Sequence, residues 1–343
     1  MTRRNRRWLA RRTGAWRVTA GRRIALRYWL EYAAVRLWSL LINCFPIETN
    51  LRTARLLGRL WWLLMKRHRQ RAMENLRAAF GDRYSDEQLG RIARRSFEHF
   101  AQLYLVELVM TPRIVNEWSW SRYVELEDLG PALRELLVGR GVILLTAHFG
   151  NYELLGYTIN RLGLPLHAVM RPLDNPLLND FLEESRRAAG LHLLIKRGAS
   201  EQAGQILAGG GALCFIADQD AGRKGVFAEF FGRPASWYKS LGLLAMQYRV
   251  PLVVGYAVRF REGFGYRIAT ERIVRPHEWE GRDDPLQWIT QTIASSLENA
   301  IRRWPEQYLW AHRRWKTRPR ENWASPERIT NSAPNPESGV PPS

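Results

Sequence analysis

The sequence predicts an α/β fold: a central mixed, largely parallel sheet flanked by helices, with an N-terminal helical membrane-associating region. Three observations carry this. Apolar runs at 142–147, 166–171, 193–196 and 212–217 lack polar alternation, as strands covered on both faces do. From Leu129 onward they alternate with helical segments at 130–138, 152–162, 176–189 and 200–207, the pattern of an α/β domain. Three of the runs end in His148, Arg171 and Asp218, and open α/β sheets bind ligands outside the carboxyl ends of their strands.

The elements follow in order. Residues 1–23 carry nine arginines, Arg3 through Arg23, and no acid, so they read as a basic arm without a fold of its own. Residues 24–45 are apolar and aromatic, but Arg27, Glu31 and Arg36 interrupt them. A clean membrane span needs about 20 mainly apolar residues, so this stretch is expected to lie along an interface. Its basic flank suits anionic lipid, an attraction worth about 1 kcal/mol per cation near the surface. No small-residue cleavage site follows, which argues against a secretory signal, although an Arg-rich, acid-free start also resembles an organellar transit peptide.

Residues 51–80 are helical in pattern, with Leu56, Leu57, Leu60, Leu63 and Leu64 on an apolar side. Ser85-Asp86-Glu87 starts a further helix in capping style that runs to about Met110, where Pro112 is expected to interrupt it. Residues 250–260 and 266–274 form a hairpin around Glu262-Gly263, and 288–304 a late helix. The tail from Asn322 is rich in Pro, Ser and Asn and reads as disordered. The expected organisation is therefore a basic arm and amphipathic helix over 1–50, a catalytic domain over 51–320 and a tail over 321–343. The domain divides into a helical lead-in, 51–128, and an α/β core, 129–320.

Composition bounds the partners. In 343 residues, 52 Lys and Arg against 33 Asp and Glu leave a net charge of +19, which calls for an anionic membrane, nucleic acid or an acidic substrate. Of 15 tryptophans, Trp8, Trp16, Trp29, Trp38, Trp61, Trp62, Trp304, Trp310 and Trp315 lie near Arg or Lys, a combination suited to the headgroup layer of a bilayer. Cys44 and Cys214 are far apart and have no zinc-ligand spacing, so no disulfide framework, metal site or cofactor is expected.

The chemistry centres on GVILLTAHFGNYE, residues 141–153. His148 follows a buried strand. With a turn at Gly150 and Asn151 as cap, Glu153 falls in the first turn of a helix and can point back at the imidazole. A carboxylate at one ring nitrogen fixes the tautomer and stabilises the imidazolium, leaving the other nitrogen to take a proton. A histidine merely capping a helix is the bland alternative, and the gathering of three charged strand ends weighs against it.

With these residues in hand, the chain resembles the late acyltransferases of lipid A biosynthesis and the related phosphatidylinositol mannoside acyltransferases, over roughly 51–320. The resemblance rests on AHFGNYE around His148 and Glu153, RPLDNPLL from Arg171, KRGAS from Lys196, ADQD from Ala217, VFAEFFGRPA from Val226 and PEQYLWAHRRWK from Pro305. It implies transfer of a fatty acyl chain from an acyl carrier protein or coenzyme A thioester to a hydroxyl of a phosphorylated membrane glycolipid. The place would be the cytoplasmic face of a bacterial inner membrane. His148 would be the general base, with Glu153 orienting it and Asp218 supporting it; both cannot hold the same nitrogen. Arg171 would contact a phosphate or an oxyanion. Asn151, Asn175, Lys196, Gln219, Arg313 and Arg314 complete the substrate-binding candidates. For Asn175 a turn and helix cap competes with binding, for Lys196 and Arg197 a solvated face, and for His312, Arg313 and Arg314 a plain basic face. Phe230 and Phe231 fit an acyl channel or core packing equally. Trp315 stands where the family motif commonly has Phe.

Rival classes are weaker. A nucleic-acid-binding protein would explain the charge but not the strand-end His, Arg and Asp. No G-x-S-x-G accompanies the histidine, which disfavours a serine hydrolase. A lysophospholipid or another phosphoglycolipid as acceptor would use the same groups.

Overall fold

The computed structural model of the chain describes residues 25–170, 172–188, 190–195, 199–320 and Trp323. The basic arm and the tail, apart from Trp323, therefore lie outside the described residues, as do Arg171, Lys196 and Arg197.

A seven-stranded sheet forms the centre, built from β1 (Val124–Glu127), β2 (Val142–Thr146), β3 (Leu166–Met170), β4 (His192–Ile195), β5 (Ala212–Ile216), β8 (Leu252–Arg259) and β9 (Tyr266–Val274), in the order β1-β9-β8-β2-β5-β3-β4. β8, β2, β5, β3 and β4 run parallel, whereas β9 pairs antiparallel with β8 and β1 parallel with β9. The sheet is thus mixed and largely parallel, and the 250–274 hairpin supplies its antiparallel part. A separate two-stranded hairpin of β6 (Val226–Phe230) and β7 (Arg233–Trp237) packs on the helix Pro285–Arg303, with Gln291 bonded to both the N–H and the carbonyl of Glu229.

The lead-in is helical. Leu26–Ile42, Ile47–Leu64, Lys66–Phe80 and Asp86–Gln102 follow one another, and the last starts at a capping box between Ser85 and Gln88. Leu89, Ala93, Phe97 and Phe100, at helical spacing, bury that helix in the core. Gly58 lets Ile47–Leu64 cross it closely, since a Cβ there would sit 2.6 Å from Glu98 Cα. The expected stop at Pro112 is corrected. After one π turn at Leu103–Glu107 the chain continues as helix Leu108–Ile114 with Pro112 inside it. A π turn already disrupts the i→i−4 ladder that a proline would otherwise break.

Phe230 and Phe231 are core residues, not channel walls: both are buried, and Phe230 stacks on Trp315 with ring centroids 5.8 Å apart. Cys214 in β5 has its thiol pushed up to about 12 by burial, so it is an inert packing group. Among the described residues, no helix is long and apolar enough to cross a membrane.

Candidate active site

The register of the sheet assembles the site. Thr146 pairs with Ile216, so two residues farther along both strands His148 and Asp218 come opposite each other. His148 Nδ1 lies 2.8 Å from Asp218 Oδ1. Asp218 is fully buried, while the imidazole keeps 13% of its side-chain surface exposed, so the pair is sealed on the carboxylate side and open on the ring side.

The turn after His148 is held on three sides. Leu309 N–H donates to the His148 carbonyl at 3.1 Å, Gly150 N–H to Gln307 at 2.9 Å and Asn151 N–H to Ala257 at 2.8 Å. Gly150 has φ +58°, and a Cβ there would fall 1.9 Å from Ala257 O, so only glycine fits this approach to β8. His99 donates from Nε2 to the Gly150 carbonyl at 3.1 Å. Burial, with Arg259 nearby, drops the His99 pKa to about 3, leaving a neutral ring that serves as a fixed donor.

Electrostatics poise the pair. Burial pulls the His148 pKa down, but the charge and hydrogen bond of Asp218 outweigh it and the net shift is upward. Burial acts on Asp218 in the opposite sense, yet His148, then His312 and Arg314, hold its pKa at about 2. An ionised Asp218 accepts from Nδ1–H, so the neutral ring presents Nε2 as a base. His312 stacks on His148 at 5.8 Å and 28°, and Tyr152 meets it edge-on at 5.4 Å. Tyr308, buried beside Asp218, has its hydroxyl pKa pushed well up by burial and by that carboxylate, and so stays protonated.

Glu153 is not the partner of the imidazole. Tyr152, the first helical residue, fills the flank of the ring, and Glu153, about 100° farther round the helix, faces the helix Pro176–Ala188. There it accepts from Arg186 Nε at 3.1 Å and Nη2 at 2.5 Å. Its charge reaches His148 only as the smallest of the upward influences.

Asn151 is a cap and anchor rather than a substrate contact. It is buried, accepts from Leu154 N–H at 2.8 Å and donates to Glu107 at 2.8 Å. Asn175 likewise caps the helix Pro176–Ala188 through Leu177 N–H at 3.0 Å, and its amide ties that helix to Glu31 at 2.8 Å and to the Tyr28 carbonyl. Arg314 is no headgroup ligand. It is buried, donates to Ser236 O at 2.7 Å and lies 4.2 Å over the Trp237 ring. Gln219 and Arg313 are exposed beside these groups and free to meet a ligand, whereas Arg171 and Lys196 fall outside the described residues.

Sequence reasoning missed the support behind the turn. Glu107 is fully buried and accepts from Tyr266 at 2.7 Å, from Asn151 and from Arg259. One signal was available, a lone carboxylate inside the apolar run LYLVELVM. Among the described residues no cluster of three or more His, Cys, Asp or Glu is placed to hold a metal ion.

Comparison with known proteins gives the family. The family profile described as bacterial lipid A biosynthesis acyltransferase matches residues 20–317. The chain is 30% identical over 303 residues to the lipid A biosynthesis palmitoleoyltransferase of Escherichia coli K12, covering 85% of this chain and 93% of that one. It is 28% identical over 301 residues to the lauroyltransferase of the same organism, with the same coverage, and 27% identical over 312 residues to a lipid A biosynthesis acyltransferase of Haemophilus influenzae, covering 88% and 95%. The profile match over residues 20–317, together with 30% identity across most of both chains, shows that the chain belongs to the bacterial lipid A biosynthesis acyltransferase family and is an acyltransferase.

Proposed function

We propose that this chain moves a fatty acyl group from an acyl thioester to a hydroxyl of a lipid A precursor, with His148 as general base. The observation that carries the reading is the 2.8 Å contact of His148 Nδ1 with the buried Asp218, which leaves Nε2 as the only ring nitrogen able to accept a proton. In the reaction, Nε2 takes the hydroxyl proton as the oxygen bonds to the thioester carbonyl carbon. Collapse of the tetrahedral adduct breaks the C–S bond, and the imidazolium returns the proton to the departing sulfur. Asp218 stabilises that imidazolium. Arg171, which follows β3 next to β5, is the proposed contact for a phosphate or the oxyanion.

The acceptor is a membrane lipid, and the surface supports docking to a bilayer. The helix Leu26–Ile42 exposes Leu26, Trp29, Leu30, Leu37, Leu40 and Leu41, and the next helix exposes Leu56, Leu60, Leu63 and Leu64. Apolar side chains at three- and four-residue spacing, beside a basic arm, favour peripheral attachment to the anionic cytoplasmic face of a bacterial inner membrane.

The test is a transfer assay in anionic mixed micelles with a labelled acyl carrier protein or coenzyme A thioester and a panel of glycolipid and lysophospholipid acceptors. Labelled product from the wild-type chain and none from His148→Ala is the expected result. Undiminished transfer by His148→Ala refutes the base assignment, and transfer only to lysophospholipid replaces the acceptor.

A further inference from the structure

A second cationic site lies apart from His148. Arg233 and Pro234 of β7 and Trp315, Arg318, Arg320 and Trp323 of the C-terminal segment surround a cavity of about 440 Å³. Among the described residues, no carboxylate lines it. The Arg233 guanidinium sits 4.7 Å from the centre of the Trp315 ring, and its pKa is lowered by burial and by the like charge of Arg318. Like charges held this close repel one another, a cost that a bound anion would reduce.

The fold builds this arrangement deliberately. Trp315 is fixed from behind by Phe230, and Thr317 is tied to Asp220 through its hydroxyl at 2.8 Å and its N–H at 3.3 Å. Asp220 is two residues beyond Asp218, a chain distance of at most about 7 Å. The loop that carries Arg318 and Arg320 is thereby anchored to the same strand end that holds the His148 partner.

We propose that Arg233, Arg318 and Arg320, with Trp315 as a rigid wall, bind a phosphate group carried by one of the two substrates. The proposal rests on the acyl-transfer reading above. An acyl thioester on acyl carrier protein or coenzyme A carries a phosphopantetheine phosphate, and a phosphorylated glycolipid acceptor carries its own. Both present tetrahedral oxyanions that guanidinium forks bind in pairs.

The experiment uses the full chain in zwitterionic micelles and the variants Arg318→Gln/Arg320→Gln and Arg233→Gln. Glucosamine 1-phosphate and phosphopantetheine are titrated calorimetrically, with glucosamine and pantetheine as the controls that lack the phosphate. Steady-state transfer is then measured with phosphorylated and dephosphorylated acceptors, and with donors that carry or lack the pantetheine phosphate. Arg318 and Arg320 are exposed, so the double variant is expected to keep its circular dichroism and unfolding midpoint. Loss of two charge-assisted contacts should weaken binding of the phosphorylated probe and raise the KM of the phosphate-bearing substrate by about tenfold or more. A KM rise confined to phosphorylated acceptor assigns the site to the acceptor, and one confined to phosphorylated donor assigns it to the donor. Probe binding lost in the variants while the wild type transfers nothing leaves the phosphate site standing and removes the acyl-transfer reading. Unchanged probe binding, or a KM rise that ignores the phosphate, overturns the site.

Discussion

Two buried clusters of histidine, acid and base lie on either side of one turn, and they behave oppositely. At the strand ends, His148 rests on Asp218 with its ring partly open, and its pKa is raised because an adjacent carboxylate outweighs burial. Beneath the turn, His99 neighbours Arg259 and the sealed Glu107, and its pKa falls to about 3, burial being the larger cause. The same residue type is therefore a titratable ring, and the proposed base, in one cluster and a neutral strut in the other. What decides is which charge adjoins the ring and whether one edge reaches solvent.

That contrast can be broken most forcefully at His148. Replacement by Ala should lower kcat by about 10²–10⁴-fold, the usual contribution of general base catalysis, while the unfolding midpoint stays near that of the wild type. A large loss of stability instead would make His148 a strut as well. In the lower cluster the signs reverse. Glu107→Gln leaves Arg259 buried without a counter-charge and should cost about 3–5 kcal/mol of stability, read by thermal or urea unfolding, with the acid limb of the pH–rate profile unmoved. An unchanged midpoint would show that the Glu107 network does not hold the turn.

Glu153→Gln is the smallest of these effects, because its carboxylate is spent on Arg186 and reaches His148 only weakly. It should lower kcat/KM by less than about tenfold, in the range of one partly exposed ion pair. A loss as large as that of His148→Ala would return Glu153 to the chemistry.

Much of this was legible in the residues. Apolar runs marked β2, β3 and β5, and the strand-end positions of His148 and Asp218 pointed to one site because parallel strands bring equivalent ends together. Asn151 as cap followed from the turn at Gly150. Other features depend on contacts distant in sequence. β1 buries only Val124 of its four residues, so no run betrays it. β6 and β7 were visible only as a motif, since their pairing sets them apart from the main sheet. The partner of Glu153 lies 33 residues away on another helix. Arg314 looked like surface charge because sequence does not reveal that Trp237 and Phe230 would enclose it.

The central claim, that Asp218 and not Glu153 sets the basicity of His148, is tested most directly by the pH dependence of kcat/KM in the wild type, Asp218→Asn and Glu153→Gln. His148 must be neutral to act as base, so activity is lost as pH falls through its pKa, and the raised pKa places the wild-type acid limb above 6.5. The account predicts that Asp218→Asn moves this limb downward and lowers the plateau by about 10²-fold, while Glu153→Gln leaves it nearly in place. An acid limb that stays fixed in Asp218→Asn, or moves as far in Glu153→Gln, would contradict it.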